Sequence, residues 1–324
     1  MFTNYLRKLF LLSVLFIFSS SIISFSFSYF VKLDGPLAKE TSFEVLKGES
    51  LVSVSKRLKK FGVINSRIIF LAHIKFTGVD KKIRFGEYLI SKNISIVELA
   101  NLFTSGDQIH HMITIPEGWT SWEIIDVLNS NEILSGEIAS IPEEGSLAPD
   151  TYFVSKGEDK NNVIARMKLQ QESILREAWV NRKTNLPLNS PRELLILASI
   201  IEKETGRSNE REVIASVLVN RINKGMRLQV DPTVIYGITK GMKKLKRNLK
   251  SSDLKRPTKY NTYLLPGLPQ GPICNPGAAS IKAAANPKNS ELLYFVADGE
   301  GGHLFSKDLY THIENVRLWK KKLN

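Results

Sequence analysis

The chain has 324 residues, a net charge of +13, 43% hydrophobic residues and a single cysteine, Cys274. The apolar content excludes a wholly disordered chain, and the length fits about two domains. One cysteine excludes an internal disulfide and shows no metal-ligand spacing.

Residues 1–8 form a short basic start that includes Arg7 and Lys8, and Leu9 to Val31 carries no charge. Such a run is long enough to cross a hydrocarbon core of about 30 Å with some tilt. A cleaved signal peptide would place its apolar core at 9–18 and its cleavage site in the serine-rich 19–28. That stretch holds no Ala-x-Ala, and apolar residues continue through Phe30. We therefore expect an uncleaved transmembrane anchor over 9–31, with its N-terminus in the cytoplasm because the basic residues precede it. Residues 32–40 follow as a tether.

From Thr41 a pattern of short extended run, turn and helix start occurs three times, beginning at SFEVLKGES, FGEYLISKN and HMITIPEGW. Ser95–Glu98 and Thr120–Glu123 are S/T-x-x-E capping boxes that open the second and third helices. The first unit, with Val45, Gly48, Glu49 and Leu51, resembles a LysM-like module, a class that binds N-acetylated glycans. A ligand-free positioning domain is the competing reading. The LysM-like domain is placed at 41–110 and a second domain at 111–324.

Pro142, Gly145 and Pro149 mark 131–150 as a connection. Residues 161–181 carry apolar side chains at helical spacing, from Val163 and Met167 to Leu175 and Ala178. The next helix, SPRELLILASIIEKETG, is the centre of the second domain. Ser190 and Glu193 suit an N-terminal box, Pro191 the first turn, and Gly206 a left-handed cap. Leu194 to Ile201 is apolar except for Ser199, so the helix should be buried all round. It delivers Glu202 and Glu204 from that apolar run. A poorly solvated carboxyl there would have a raised pKa, as a general acid needs; the alternative is that both glutamates emerge into water. Ala198 and Ser199 leave room for a ligand on the Glu202 side, whereas Leu197 and Ile201 give the Glu204 side the look of packing.

A further helix is expected from about Asn209 to Lys224, closed by Gly225. Asp231-Pro232 should force a turn. Residues 240–256 are rich in lysine and arginine but bring no interleaved aromatics or nucleic-acid motif, so a solvated basic loop is expected. Residues 259–277 form a proline- and glycine-rich segment holding Tyr260, Asn261 and Tyr263. Long loops of this kind are usually functional, and flat rings with amide hydrogen-bonding groups suit sugars. A short helix, two strands and a C-terminal helix complete the chain. His303 and His312 fit no metal spacing.

Taken together, the anchor, the LysM-like region, EGSLAPDTYF (144–153), LASIIEKET (197–205), RLQVDPTVIYG (227–237), YNTY (260–263), GLPQGPICNPG (267–277) and YFVADGEGGHLF (294–305) resemble the YceG-like endolytic murein transglycosylases. Ala148 departs from the larger residue expected before Pro149. The resemblance implies an α+β protein: an N-terminal transmembrane helix, a LysM-like β/α domain and a mixed α/β catalytic domain. It puts the catalytic glutamate at Glu202, the first after the apolar run. Gln229, Asp231, Tyr260, Asn261 and Tyr263 are then candidate substrate-binding residues, and no metal or cofactor is implied. The implied partners are peptidoglycan glycan strands, the inner membrane and wall-synthesising penicillin-binding proteins, with the catalytic domain in the periplasm. The rivals are a muramidase-type hydrolase using Asp231 or Glu204 as a second carboxylate, and a non-catalytic glycan-binding scaffold of wall synthesis.

Overall fold

The computed structural model describes residues 2–323, which form two compact units, one of residues 2–111 with 154–158 and one of 112–153 with 159–323. In the first, helix α1 (Phe2–Lys32) carries a stretch, Leu6–Lys32, that is long and apolar enough to cross a membrane. Its far end packs: Val31 is buried and Phe27 meets Phe76 edge-on at 5.9 Å. Strand β1 (Thr41–Val45) leads to α2 (Leu51–Lys60) and α3 (Arg67–Thr77), and a short 3-10 turn precedes β2 (Gly86–Ile90) and α4 (Ile96–Ser105). β1 and β2 pair antiparallel, with Thr41 opposite Ile90 and Val45 opposite Gly86. Alternation along β1 and β2 sends Phe43, Val45, Tyr88 and Ile90 inward against Leu58, Phe70, Ile74, Leu99 and Phe103. Ser50, Ser66 and Ser95 cap the three helices, and Ser95 with Glu98 forms the expected complete box. Helix α3 was not anticipated, although its Ser66 cap and Gly78 stop are both in the sequence.

Strand β3 (His110–Thr114) pairs with β4 (Thr151–Ser155), and in the second unit α5 (Ser121–Ser130) begins at the expected Thr120–Glu123 box. There follow α6 (Lys160–Val180), α7 (Pro191–Glu204), α8 (Arg211–Asn223), α9 (Asp231–Thr239), the short α10 (Ser251–Leu254) and α11 (Ala278–Ala285). An antiparallel pair, β5 (Tyr294–Ala297) and β6 (His303–Ser306), and helix α12 (Leu309–Leu323) close the chain. The core gathers around α7, which packs against α6, α8, α9 and α11. Leu194 and Ile196 to Ile201 are all buried. Each such aliphatic side chain contributes about 1.5–3 kcal/mol when removed from water. Small Ala283, Ala284 and Ala285 line the facing helix α11.

Asp231-Pro232 does not make a turn. It opens α9, because a proline in the first helical turn has no hydrogen bond to lose. β5 is half-buried, as fits a sheet of only two strands.

Candidate active site

The C-terminal end of α7 carries the candidate acids. At its start, Ser190 Oγ accepts from Glu193 N at 3.3 Å, while the Glu193 carboxylate reaches Asn189 N at 2.7 Å, one residue before the box predicted. At its end Gly206 is not the cap. Extended Thr205 stops the helix, and its hydroxyl accepts from Arg207 N at 3.0 Å and donates to Glu210 at 3.2 Å. A hydroxyl that satisfies the free backbone here removes the need for a left-handed glycine.

The space expected beside Ala198 and Ser199 is filled by protein. Both are fully buried, and Ser199 Oγ donates to Ile196 O at 2.7 Å while accepting from Ile273 N at 3.1 Å. Cys274 is buried against Ser199 O. The proline-rich loop thus lies along the Glu202 side of the helix. Its next residue fixes it to the turn before α5. Asn275 exchanges backbone bonds with Gly118 and Trp119 at 3.0 and 2.8 Å, and its side chain reaches Trp119 O, Ser121 and Glu144. Glu144 also accepts from Ser121 N at 2.8 Å and from the Tyr236 hydroxyl at 3.0 Å. Burial raises its pKa in spite of those donors.

This arrangement delivers Gly277 to the half-buried Glu202, whose Oε2 accepts from Gly277 N at 3.0 Å. Glu117, from the turn between β3 and α5, comes to the same glycine: a Cβ on Gly277 would overlap the Glu117 carboxylate. Arg211 Nη2 lies 3.5 Å from Glu117 Oε2, and Lys203 Nζ reaches Gly118 O at 3.3 Å. Partial burial and the neighbouring Glu202 raise the Glu117 pKa, against the pull of Arg211. Sequence reasoning did not single out Glu117; its only local signal is the Pro-Glu-Gly turn ahead of a capping box.

Glu204 occupies another environment. Burial and the charge of Asp231 push its carboxyl up to about 7, against the pull of Arg221. Asp231 accepts from the Tyr263 hydroxyl at 2.6 Å, and Arg227 donates to Tyr263 O at 3.2 Å. Exposed Gln229 stands next to this group in a left-handed conformation (φ 53°), its N–H bonded to Thr262 O. Asp231, Tyr263 and Gln229 therefore gather on the Glu204 side. Tyr260 lies apart from them, its ring 4.8 Å from that of Tyr236 and under Lys240.

Asn261 is fully buried, contrary to its expected place on a substrate surface. Its amide donates to Leu254 O and Arg256 O at 2.9 and 2.8 Å, and its oxygen accepts from Tyr263 N at 2.9 Å. With those bonds made, it organises the loop from inside. His303 meets Glu210 at 2.7 Å and His312 stacks on Tyr294. Among the described residues no group of three or more His, Cys, Asp or Glu is placed to hold a metal.

The YceG-like family model matches residues 43–318. The chain belongs to the YceG-like family. An endolytic murein transglycosylase of Bacillus subtilis is 30% identical, over 90% of this chain and 89% of that protein. One from Streptococcus pneumoniae is 26% identical over 88% of this chain, which spans 59% of that longer relative. A yceG-like protein of Listeria monocytogenes, solved by crystallography, aligns with a TM-score of 0.51 and 30% identity, covering 86% of this chain and 99% of that one.

Proposed function

We propose that this YceG-like protein is an endolytic lytic transglycosylase that cuts the bond between N-acetylmuramic acid and N-acetylglucosamine inside nascent peptidoglycan strands and so limits their length. The observation that carries the reading is the 30% identity to a named endolytic murein transglycosylase across nine-tenths of the chain. The geometry at the end of α7 supports it: Glu202 is half-buried at the end of a rigid apolar helix, with one carboxyl oxygen fixed by the Gly277 amide.

In this reading Glu202 starts protonated and gives its proton to the glycosidic oxygen. The C1–O bond breaks, and its electron pair stays on the departing oxygen. The muramic C6 hydroxyl then closes on C1, and the Glu202 carboxylate takes the hydroxyl proton. The new end is a 1,6-anhydro sugar and Glu202 is again protonated. Water takes no part, so the water-activating carboxylate of an inverting glycosidase is not needed.

Residues 9–31, inside the apolar Leu6–Lys32 stretch, serve as a single-pass anchor in the inner membrane, with the N-terminus cytoplasmic and the chain from Lys32 onward periplasmic. The order β1-α2-α3-β2 in the first unit supports a LysM-like glycan-holding role for residues 41–110, leaving 111–324 as the catalytic domain. Gln229, Asp231, Tyr260 and Tyr263 are assigned to strand binding. Wall-synthesising penicillin-binding proteins are the proposed protein partners.

A second reading draws on Glu204: a carboxyl titrating near 7 beside Asp231 has the makings of a hydrolase pair. Digestion of purified, uncrosslinked glycan strands followed by mass spectrometry separates the readings. Anhydro ends are expected. Reducing ends would replace the transglycosylase reading with the hydrolase, and an absence of cleavage would leave a glycan-binding scaffold.

A further inference from the structure

Gly277 has φ −71° and ψ 165°, a backbone conformation open to any residue. What excludes a side chain there is a neighbour: the three atoms nearest to a Cβ at Gly277 all belong to the Glu117 carboxyl group and its stem. The N–H of the same glycine holds Glu202. One glycine is thus the point at which two carboxylates from distant parts of the chain come together. Gly118, next to Glu117, has φ +76° and brings the turn to the Glu202 stem, where a Cβ would stand 3.5 Å from Cγ.

We propose that Glu117 and Glu202 share one proton, with Glu117 as the positioning residue that keeps it on the acid. The proposal rests on the transglycosylase reading and assigns Glu117 a part in that reaction. Neighbouring carboxylates resist joint ionisation, and Glu202 is, after burial, one of the causes that raise the Glu117 pKa. The charged groups facing the pair are Arg211 from α8, 3.5 Å from Glu117, and Lys203 on α7, which is bonded to Gly118 O. The loop 271–277 brings one titratable side chain, the buried Cys274 thiol. Arg211 Nε is buried without a hydrogen-bond partner, so the guanidinium beside Glu117 keeps donor capacity in reserve.

With one proton the pair carries a single negative charge opposite Arg211. When Glu202 gives that proton to the glycosidic oxygen, the pair becomes doubly negative as positive charge develops at C1. When the C6 hydroxyl closes on C1, its proton returns to the pair. Protons and electrons balance, since the pair ends as it began.

The test uses the full chain in detergent micelles and uncrosslinked glycan strands, with anhydro ends counted across the acidic to mildly alkaline range. For Glu117→Gln the alkaline limb of the rate profile should move down by about one pH unit, because the lone Glu202 then ionises earlier, and the rate at neutral pH should fall about tenfold. Glu117→Asp keeps the charge and should leave the limb at the wild-type position, even at a lower rate. A Glu117→Gln limb at the wild-type position, whatever the loss in rate, would reduce Glu117 to a packing role and overturn the proposal. If Glu117→Gln does not fold, carbon-13 titration of the wild-type glutamate carboxyls decides. Two coupled steps separated by more than about one pH unit are expected, and two independent ordinary titrations would overturn it. Loss of the transglycosylase reading has a different signature: undiminished anhydro ends from Glu202→Gln.

Discussion

Glu202 and Glu204 are two residues apart on one helix and belong to different chemical settings. At about 100° per residue they point some 200° apart. On one side Glu202 meets the Gly277 amide, a second carboxylate and a lysine–arginine margin. On the other, Glu204 lies in a half-buried nook with Asp231, Tyr263 and Arg221, where burial and the charge of Asp231 push its carboxyl up to about 7. The difference teaches that a perturbed carboxyl is not by itself a catalytic one. Burial and a neighbouring charge perturb Glu204, whereas the Glu202 side adds a fixed amide and a partner carboxyl. Single substitutions on the two sides press on that contrast with unequal force.

Glu202→Gln carries the largest expected effect. It keeps size and the apolar packing of α7 but removes the transferable proton. Production of anhydro ends should fall by at least ~100-fold, the scale for a positioned acid/base, with an unchanged circular dichroism spectrum. Near wild-type rates of anhydro-end formation would transfer the role across the helix to Glu204.

Asn261→Ala comes next, and its effect falls on stability. The substitution leaves the carbonyls of Leu254 and Arg256 and the amide of Tyr263 without their buried partner. An unsatisfied buried group costs about 1–3 kcal/mol, so thermal denaturation should show a lower Tm while the rate per folded molecule is retained. An unchanged Tm with lost turnover would return Asn261 to the substrate surface.

Much of the fold was legible. Ser95–Glu98 and Thr120–Glu123 act through contacts within one turn, and those boxes appear where the sequence placed them. Burial of α7 came from its run of apolar residues, interrupted only by Ser199. Most of the failures share one cause, which is that tertiary partners decided them. Ser199 looked like an open position until the Ile273 amide bonded it. Asn261 looked like a sugar-binding amide until its loop closed around it. Glu117 lies far along the chain from Glu202, and the Asn275 connection to residues 118–121, with the Lys203 bond to Gly118, brings the two to one glycine. Asp231-Pro232 is a local miss: the same dipeptide suits a turn or a first helical turn, and the apolar run from Val234 selects the helix.

Tyr263→Phe asks whether the cluster around Glu204 handles substrate. It deletes the 2.6 Å bond to Asp231 and little else. If Asp231 and Tyr263 help to bind the strand, KM should rise by several-fold at nearly constant kcat, the signature of an interaction made equally in ground and transition states. Unchanged KM and kcat would leave the nook with a purely structural part.

Glu204→Gln should have the smallest effect on turnover, below about tenfold if the acid is Glu202. Its clearer signature lies in stability against pH. The folded-state pKa is raised from 4.5 to about 7, so over that interval the native protein binds more protons than the unfolded chain. Stability must then fall as pH rises from about 4.5 through about 7, because ionising Glu204 in the nook opposes burial and the charge of Asp231. Glutamine cannot ionise, so Tm measured across that interval should lose this downward component and the variant should gain on wild type toward neutral pH. Parallel Tm curves for the two proteins would mean that Glu204 is better solvated than its surroundings indicate. Loss of all cutting in Glu204→Gln, with Glu202→Gln still active, would move the acid to the nook and make Asp231 its partner.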